Sequence, residues 1–261
     1  MEQKEKGDWQ IYRTLVNGKP AICSVNLSLF EQQLFSENIY DNVLEVVLAY
    51  QADKDGLPDS AAYQALLTEI MRISTLLCSQ PNVFYAGYVL SSSEAKLHFY
   101  CKSAVLLMDI LHQFPSVKHS HVQYDPAWDI YFDFLLPSSL EIKINATEEI
   151  LDILLQNGYN LAELYFIEHT FHFLKEEQMY QFLEQVSVSD MPILTLKHTN
   201  TPVQLDENDN VYLVKIDQEL QLNNSDIFDY VEQLENFALH NDGDYIGWES
   251  PDIILSKNQL N

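Results

Sequence analysis

Histidines come nearest to a chemical site in this 261-residue chain. His119 and His121 lie two apart in a segment that the pattern predicts to be a strand, so both imidazoles should point to one face. Two imidazoles placed in this way can begin a zinc site. No third ligand lies nearby in the sequence, and we therefore expect no bound metal.

A second pair, His169 and His172, lies three residues apart on a predicted strand. The two side chains should point to opposite faces, which excludes simple joint ligation. His169 shares its face with Ile167 and Phe171, so we expect a buried, hydrogen-bonded histidine. A role in contacting a partner is the alternative for His169.

No other residues form a recognisable catalytic set. The chain has only seven glycines, with no phosphate-binding or dinucleotide fingerprint and no Gly-x-Ser-x-Gly elbow. The 39 acidic residues make any carboxylate pair uninformative. The aromatic residues Trp128, Tyr131 and Phe132 are more typical of a core than of a base-stacking platform. We expect no enzyme activity and no cofactor.

The charge is strongly negative and uneven. The chain carries a net charge of −25. Residues 1–137 hold 16 acidic and 9 basic groups, a net of −7, whereas residues 138–261 hold 23 and 5, a net of −18. Direct nucleic-acid binding is therefore disfavoured, because phosphates require Lys and Arg. An acidic surface instead attracts a basic protein partner. The alternative is that the negative charge only maintains solubility.

The sequence favours a cytoplasmic location. Three cysteines (Cys23, Cys78 and Cys101) give an odd number without a Cys-x-x-Cys pair, which is typical of reduced thiols. The segment from Met1 to Asp8 is charged and lacks the apolar region of a signal peptide. No apolar run approaches the length that a membrane-spanning helix needs.

The order of elements predicts an α+β fold with two ferredoxin-like (βαββαβ) domains. Residues 1–137 should form the first domain, with an extra N-terminal β-hairpin whose turn is Asn17-Gly18. Residues 138–159 should hold a connector helix capped by Thr147, and residues 160–255 the second domain, followed by a tail at 256–261. Each domain should have a sheet with helices packed on one face.

The last strand is predicted to follow an amphipathic helix and to contain Asp244-Tyr245-Ile246-Gly247-Trp248-Glu249. Gly243 should end that helix with a positive φ. Alternation places Ile246 and Trp248 beneath the helix. The alternative is that Trp248 is an aromatic anchor for a partner. Tyr245 and Glu249 should then face outward as partner contacts, and Gly247 should leave a gap for another backbone.

Two segments in the C-terminal part of the chain resemble segments of a known family. The predicted helix followed by Asp242-Gly243-Asp244-Tyr245-Ile246-Gly247-Trp248-Glu249 resembles the C-terminal signature of the regulator of ribonuclease E activity B family. Upstream, Ile167-Glu168-His169-Thr170-Phe171-His172-Phe173 is similar to that family's first strand. The resemblance covers about Asn160 to Asp252. Ile246 departs from the family pattern, which suggests an acidic residue there.

The N-terminal part resembles a bacterial domain family of unknown function, one that also occurs fused ahead of the ribonuclease-regulator module. The residues that carry this resemblance over about 9–137 are Asp55-Gly56-Leu57-Pro58 and Asp125-Pro126-Ala127-Trp128-Asp129-Ile130-Tyr131-Phe132-Asp133-Phe134-Leu135-Leu136-Pro137.

The C-terminal resemblance implies a small α+β domain that binds the non-catalytic region of the endoribonuclease and lowers its activity, whereas the N-terminal resemblance implies no activity. We therefore expect a non-catalytic regulator. Its C-terminal domain would dock an acidic face on a basic protein segment, such as the scaffold region of ribonuclease E, with contacts from Asp244, Tyr245, Gly247, Trp248, Glu249 and His169. The alternatives are an enzyme with a site between the domains and an assembly protein with no connection to RNA.

Overall fold

The computed structural model describes residues 8–37, 39–205 and 210–253. Residues 1–7, which make up nearly all of the segment considered as a signal peptide, lie outside the described residues. So does the predicted tail at 256–261. The chain divides into two compact units, Met1–Glu141 and Ile142–Asn261.

The first unit contains a six-stranded antiparallel sheet with strand order β1-β2-β4-β5-β3-β6. Its strands are β1 (Trp9–Val16), β2 (Lys19–Asn26), β3 (Asn42–Ala49), β4 (Val83–Ser91), β5 (Glu94–Cys101) and β6 (Val117–Tyr124). Its helices are α1 (Ser28–Glu31), α2 (Ser60–Cys78), α3 (Val105–Leu111), a 3₁₀-helix (Leu34–Glu37) and a π-helix (Ile130–Leu135). The predicted turn joins β1 to β2, with positive φ at Asn17 and Gly18.

Both faces of this first sheet are covered, which differs from the prediction of helices on one face only. Successive residues of β3, Val43 and Leu44, are both buried but belong to different hydrophobic clusters. Leu44 packs in the cluster that contains residues of α2 and α3. Val43 packs in the cluster that contains Trp128 and Tyr131, so the aromatic residues near the π-helix build a second core.

The second unit contains an antiparallel sheet with strand order β11-β7-β10-β8, and β9 pairs with β10 beyond this path. Its strands are β7 (Leu164–Phe173), β8 (Thr195–His198), β9 (Val203–Gln204), β10 (Asn210–Gln221) and β11 (Gly243–Glu249). Helices α5 (Glu176–Ser187) and α6 (Asp226–His240) contribute their apolar sides to a core that also receives residues of α4 (Ser139–Gln156). The predicted α+β class is confirmed, with two antiparallel sheets.

Two predicted helix ends are wrong. Helix α4 begins at Ser139, eight residues before Thr147, so Thr147 lies inside the helix and donates to the Lys143 carbonyl. At the end of α6, Asp242 adopts the positive φ that was predicted for Gly243. Gly243 instead starts β11 against the ring of Phe173, where an added Cβ would lie 2.1 Å from a ring carbon. Glycine is required there for space.

Candidate protein-binding site

The last strand, β11, contains a β-bulge that decides where its side chains point. Strand β11 pairs with β7, and the register shifts between Tyr245 and Gly247, leaving Ile246 without a directly opposed residue. A bulge adds one residue to one strand and interrupts the alternation of faces. Tyr245 and Trp248 therefore lie on the same face although they are three residues apart.

The predicted faces of Tyr245 and Ile246 are consequently wrong. Tyr245 lies opposite the buried Phe171 and is only 2% exposed. Ile246, which was expected beneath the helix, is 50% exposed. Trp248 is half-buried and packs against the core, as predicted.

The face of the sheet away from the helices carries the remaining predicted contacts. Asp244 lies opposite His172, Gly247 opposite Thr170 and Glu249 opposite Glu168. These three residues of β7 alternate with its buried core residues, so they define the opposite side of the sheet. We call this side the open face. Asp244, Gly247 and Glu249 share it, whereas Tyr245, Trp248 and His169 lie on the core side.

On the core side, Tyr245 belongs to a buried hydrogen-bonded network with His169. The Tyr245 hydroxyl lies 2.7 Å from His169 Nδ1, and His169 Nε2 lies 2.9 Å from Gln218 Oε1. Because the Gln218 carbonyl oxygen can only accept, Nε2 carries the proton and Nδ1 accepts from Tyr245. His169 is therefore the buried, hydrogen-bonded histidine that the sequence predicted.

Burial holds this network in its neutral form. Burial lowers the pKa of His169 to about 4, against favourable effects of Gln218 and the Asp217 charge. Burial also raises the pKa of Tyr245 far above its ordinary value, and the charge of Glu235 adds to that increase. Neither group exchanges protons near neutral pH, so the network holds β11 against β7 and supplies no acid–base chemistry.

Trp248 is held by a second polar contact. Its indole Nε1 donates to Thr147 Oγ1 at 3.0 Å. Thr147 is almost fully buried on α4, so this bond connects the last strand to α4. Thr147 was predicted to cap the helix instead, because its residue type and the acids that follow it match a helix start.

The acids on the inner strands of the open face are neutralised by lysines. Lys215 pairs with Glu168, and Lys197 Nζ lies 2.7 Å from Asp217 Oδ2. Burial opposes ionisation of Asp217, but hydrogen bonds from Lys197 and Thr195 outweigh it and hold the pKa of Asp217 below its ordinary value. These charges are already satisfied within the unit.

The two acids on β11 are different. Asp244 and Glu249 are exposed, and within the described residues neither forms a salt bridge. Between them, a Cβ built on Gly247 would meet no atom within 4 Å, so the space above this glycine is open. The edge strand therefore presents two exposed carboxylates on either side of a gap, and the charge of Asp244 acts on His172 opposite it.

His121, one of the two histidines singled out on β6, has an acidic neighbour that the sequence did not reveal, whereas His119 lies opposite Val47. His121 on β6 and His98 on β5 flank Glu45 on β3, with nitrogen–oxygen distances of 3.5 Å and 3.4 Å. The three lie in one row because Glu45 is paired with both histidines across the sheet. In the described part of the chain, no group of three or more His, Cys, Asp or Glu residues has a geometry that could hold a metal ion.

None of the three cysteines, all of which the structure describes, forms a disulfide, and Cys23 and Cys101 are buried. Burial raises the pKa of both thiols to about 11. Since the thiolate is the nucleophile, these two residues are unreactive near neutral pH. Over the described residues, no helix has the length and apolar character needed to cross a membrane.

The structure thus defines a two-unit α+β protein whose second unit offers an exposed acidic edge on one sheet face. Comparison with family models finds a match for each unit. Residues 144–250 match the family described as Regulator of ribonuclease activity B. Residues 7–136 match the Family of unknown function (DUF695). Both resemblances found in the sequence are confirmed.

Comparisons with individual proteins are less informative. No curated protein matches the chain. A crystal structure described as that of an unknown protein from Galdieria sulphuraria aligns over 82% of this chain and 98% of its own, with 8% sequence identity and a TM-score of 0.25. At this TM-score the alignment supports no inference about fold or function.

Proposed function

We propose that the second unit is a non-catalytic regulatory module that binds a basic segment of another protein. The match of residues 144–250 to the Regulator of ribonuclease activity B family carries this proposal. A segment of the scaffold region of ribonuclease E is the partner that we propose. The surface acids support it, since the second part of the chain holds most of the net negative charge.

In this proposal the open face at β11 makes the contact. Asp244 and Glu249 are exposed and unpaired within the described residues, so a basic segment can approach them without breaking an existing ion pair. The space above Gly247 admits a side chain or backbone of the partner between the two carboxylates. Bound there, the module covers the basic segment and blocks RNA or other proteins from it.

The buried residues of the predicted site have a supporting role in this mechanism. His169 and Tyr245 connect β11 to β7 from below, and Trp248 connects β11 to α4. They fix the strand that displays the acids. Substituting them should reduce binding through loss of structure, whereas substituting the exposed acids should reduce binding directly.

We also propose a ferredoxin-like fold for each unit and the domain boundaries that were predicted from the sequence. The strand orders β4-β5-β3-β6 and β11-β7-β10-β8 support a ferredoxin-like arrangement in each unit, with the β1–β2 hairpin added beside β4. The proposed boundary near 137 agrees with the end of the first family match at residue 136, whereas the second match begins at residue 144, within the proposed connector at 138–159. The N-terminal domain is an accessory of unknown role. A bacterial cytoplasm is the compartment that we propose, because cysteines without disulfides are typical of it.

The test is a binding measurement between the full chain and a basic fragment of the ribonuclease E scaffold at low and high salt. The double variant Asp244→Asn/Glu249→Gln should bind about tenfold more weakly, mainly through slower association. Glu184→Gln is the matched control, because Glu184 is an exposed acid on α5, which packs on the core side of the sheet. Wild-type affinity should fall as salt rises.

Two results would contradict the proposal. If the wild-type chain does not bind the fragment at low salt, the partner assignment is wrong. If the double variant and the control bind equally well, the acids of β11 are not the docking face.

A further inference from the structure

Exposed strand edges differ in how well they are protected against pairing with another chain. In the described residues the two sheets end in β1, β6, β11 and β8. Proteins protect such edges with charged residues, bulges or short strands. Strand β6 has Lys118 and a register irregularity against β3. Strand β11 has its bulge and two acids, and β8 is only four residues long and contains Lys197.

Strand β1 has neither a bulge nor a short length to protect it. It is eight residues long, and its pairing with β2 is continuous from Trp9–Asn26 to Val16–Lys19. It contains no proline, and Arg13 is its one charged residue. Its outer backbone groups therefore form a regular row that another strand can pair with.

The side chains of β1 add apolar surface to this edge. Trp9, Ile11 and Leu15 alternate on the same side of the strand and are 39%, 60% and 67% exposed. Their side of the hairpin is that of Ile22, which packs against the cluster containing α2. The helices leave the outermost strand uncovered, so these residues remain available for contact.

The hairpin at this edge adds no acidic residue to the repulsion between two copies of this acidic chain. The hairpin segment 9–26 contains Arg13 and Lys19 but no Asp or Glu, although the whole chain has a net charge of −25. Two such acidic chains repel each other. The carboxylate beside β1 is that of Glu141, which accepts a hydrogen bond from Thr14 on the strand face opposite to Trp9 and Leu15. A two-fold axis at Tyr12 would also place Trp9 of each copy opposite Leu15 of the other, which is a favourable apolar cross-strand pair.

We propose that β1 is the interface of a two-fold symmetric homodimer in which the β1 strands of two copies pair antiparallel. The pairing would join the two six-stranded sheets into one continuous sheet and bury the exposed apolar side chains of β1. This inference concerns the first unit and is independent of the proposed binding of a basic partner by the second.

Sedimentation of the full chain over a wide range of concentrations tests the proposal. The wild type should form dimers, and the dissociation constant should rise at least about tenfold in Ile11→Lys and in Leu15→Lys, since charged edge residues oppose strand pairing. Val122→Lys is the matched control, because Val122 is 43% exposed on the opposite edge strand, β6. This control should dimerise like the wild type.

Salt provides a second readout that separates this interface from the proposed docking face. Dimerisation of two acidic chains should become tighter as salt rises, whereas binding of a basic segment should become weaker. Leu15→Thr is a milder edge variant that keeps a residue favourable in strands. If a lysine variant does not fold, this variant must still weaken dimerisation.

A wild-type chain that remains monomeric at every concentration would overturn the proposal. So would a dimer that is equally stable in Ile11→Lys, Leu15→Thr and Val122→Lys, because the interface would then lie elsewhere.

Discussion

Acidification should destabilise the second unit through His169. In the folded chain burial lowers the pKa of this histidine from 6.5 to about 4. In the unfolded chain the imidazole is in water and takes up a proton as the pH falls through about 6.5. The unfolded state thus binds more protons than the folded state between these two values, and stability must decrease as the pH decreases.

The size of the effect follows from the difference between the two pKa values. A separation from 6.5 to about 4 corresponds to about 3 kcal/mol of unfolding free energy. The loss should begin near pH 6.5 and be complete below about pH 4. No solvent reaches the ring to reduce this penalty, because His169 is completely buried between Tyr245 and Gln218.

The measurement compares the wild type with His169→Gln, which has no titrating group at this position. Urea unfolding, followed by the NMR signals of β7 and β11 amides, gives the free energy of unfolding of the second unit at each pH. Other titrating groups affect both proteins alike, so the difference between the two curves isolates His169. If the two curves run parallel from pH 6.5 to 4, His169 is not buried in its neutral form and the network is wrong.

Two further predictions concern the packing of β11. Trp248→Ala should lower the unfolding free energy of the second unit by about 2–3 kcal/mol, because the side chain is half-buried and its bond to Thr147 is lost. Thermal unfolding measures this loss of stability. A variant as stable as the wild type would mean that the indole does not pack on α4. Gly243→Ala should be destabilising, because its Cβ would overlap the Phe173 ring. In the matched variant Gly158→Ala the new Cβ meets no atom within 4 Å, so any loss of stability in that variant reflects only the positive φ. An equally small loss of stability in both variants would refute the steric argument.

The order of strands and helices was readable from the sequence because it depends on hydrophobic periodicity and turn residues. The β1–β2 hairpin, α2 and the strands around α6 follow from such local patterns. The buried state of His169 was also readable, because its neighbours on the same face of the strand are apolar.

The orientation of Tyr245 was not readable from the same rule. A period of two predicts faces only while every residue has a partner in the adjacent strand, and the bulge at Ile246 breaks that condition. The start of α4 was missed for a related reason. Thr147 has the residue type of a helix cap, but its hydroxyl bonds back to Lys143 and accepts from Trp248, a residue about a hundred positions away in the chain.

The position of β11 in the second sheet also determines when that unit can close during synthesis. Strand β7 is the first strand of the unit, and it lies between β10 and β11. Until β11 leaves the ribosome, β7 has one unpaired edge of ten residues that contains no lysine or proline. Before β11 is released, Tyr245 cannot contact the buried hydrogen-bonded network and Trp248 cannot contact α4. Folding of this unit therefore cannot be complete before its last strand is released. If the ribosome stalls before residue 243, the nascent chain exposes an edge of β7 that is prone to pairing with other chains.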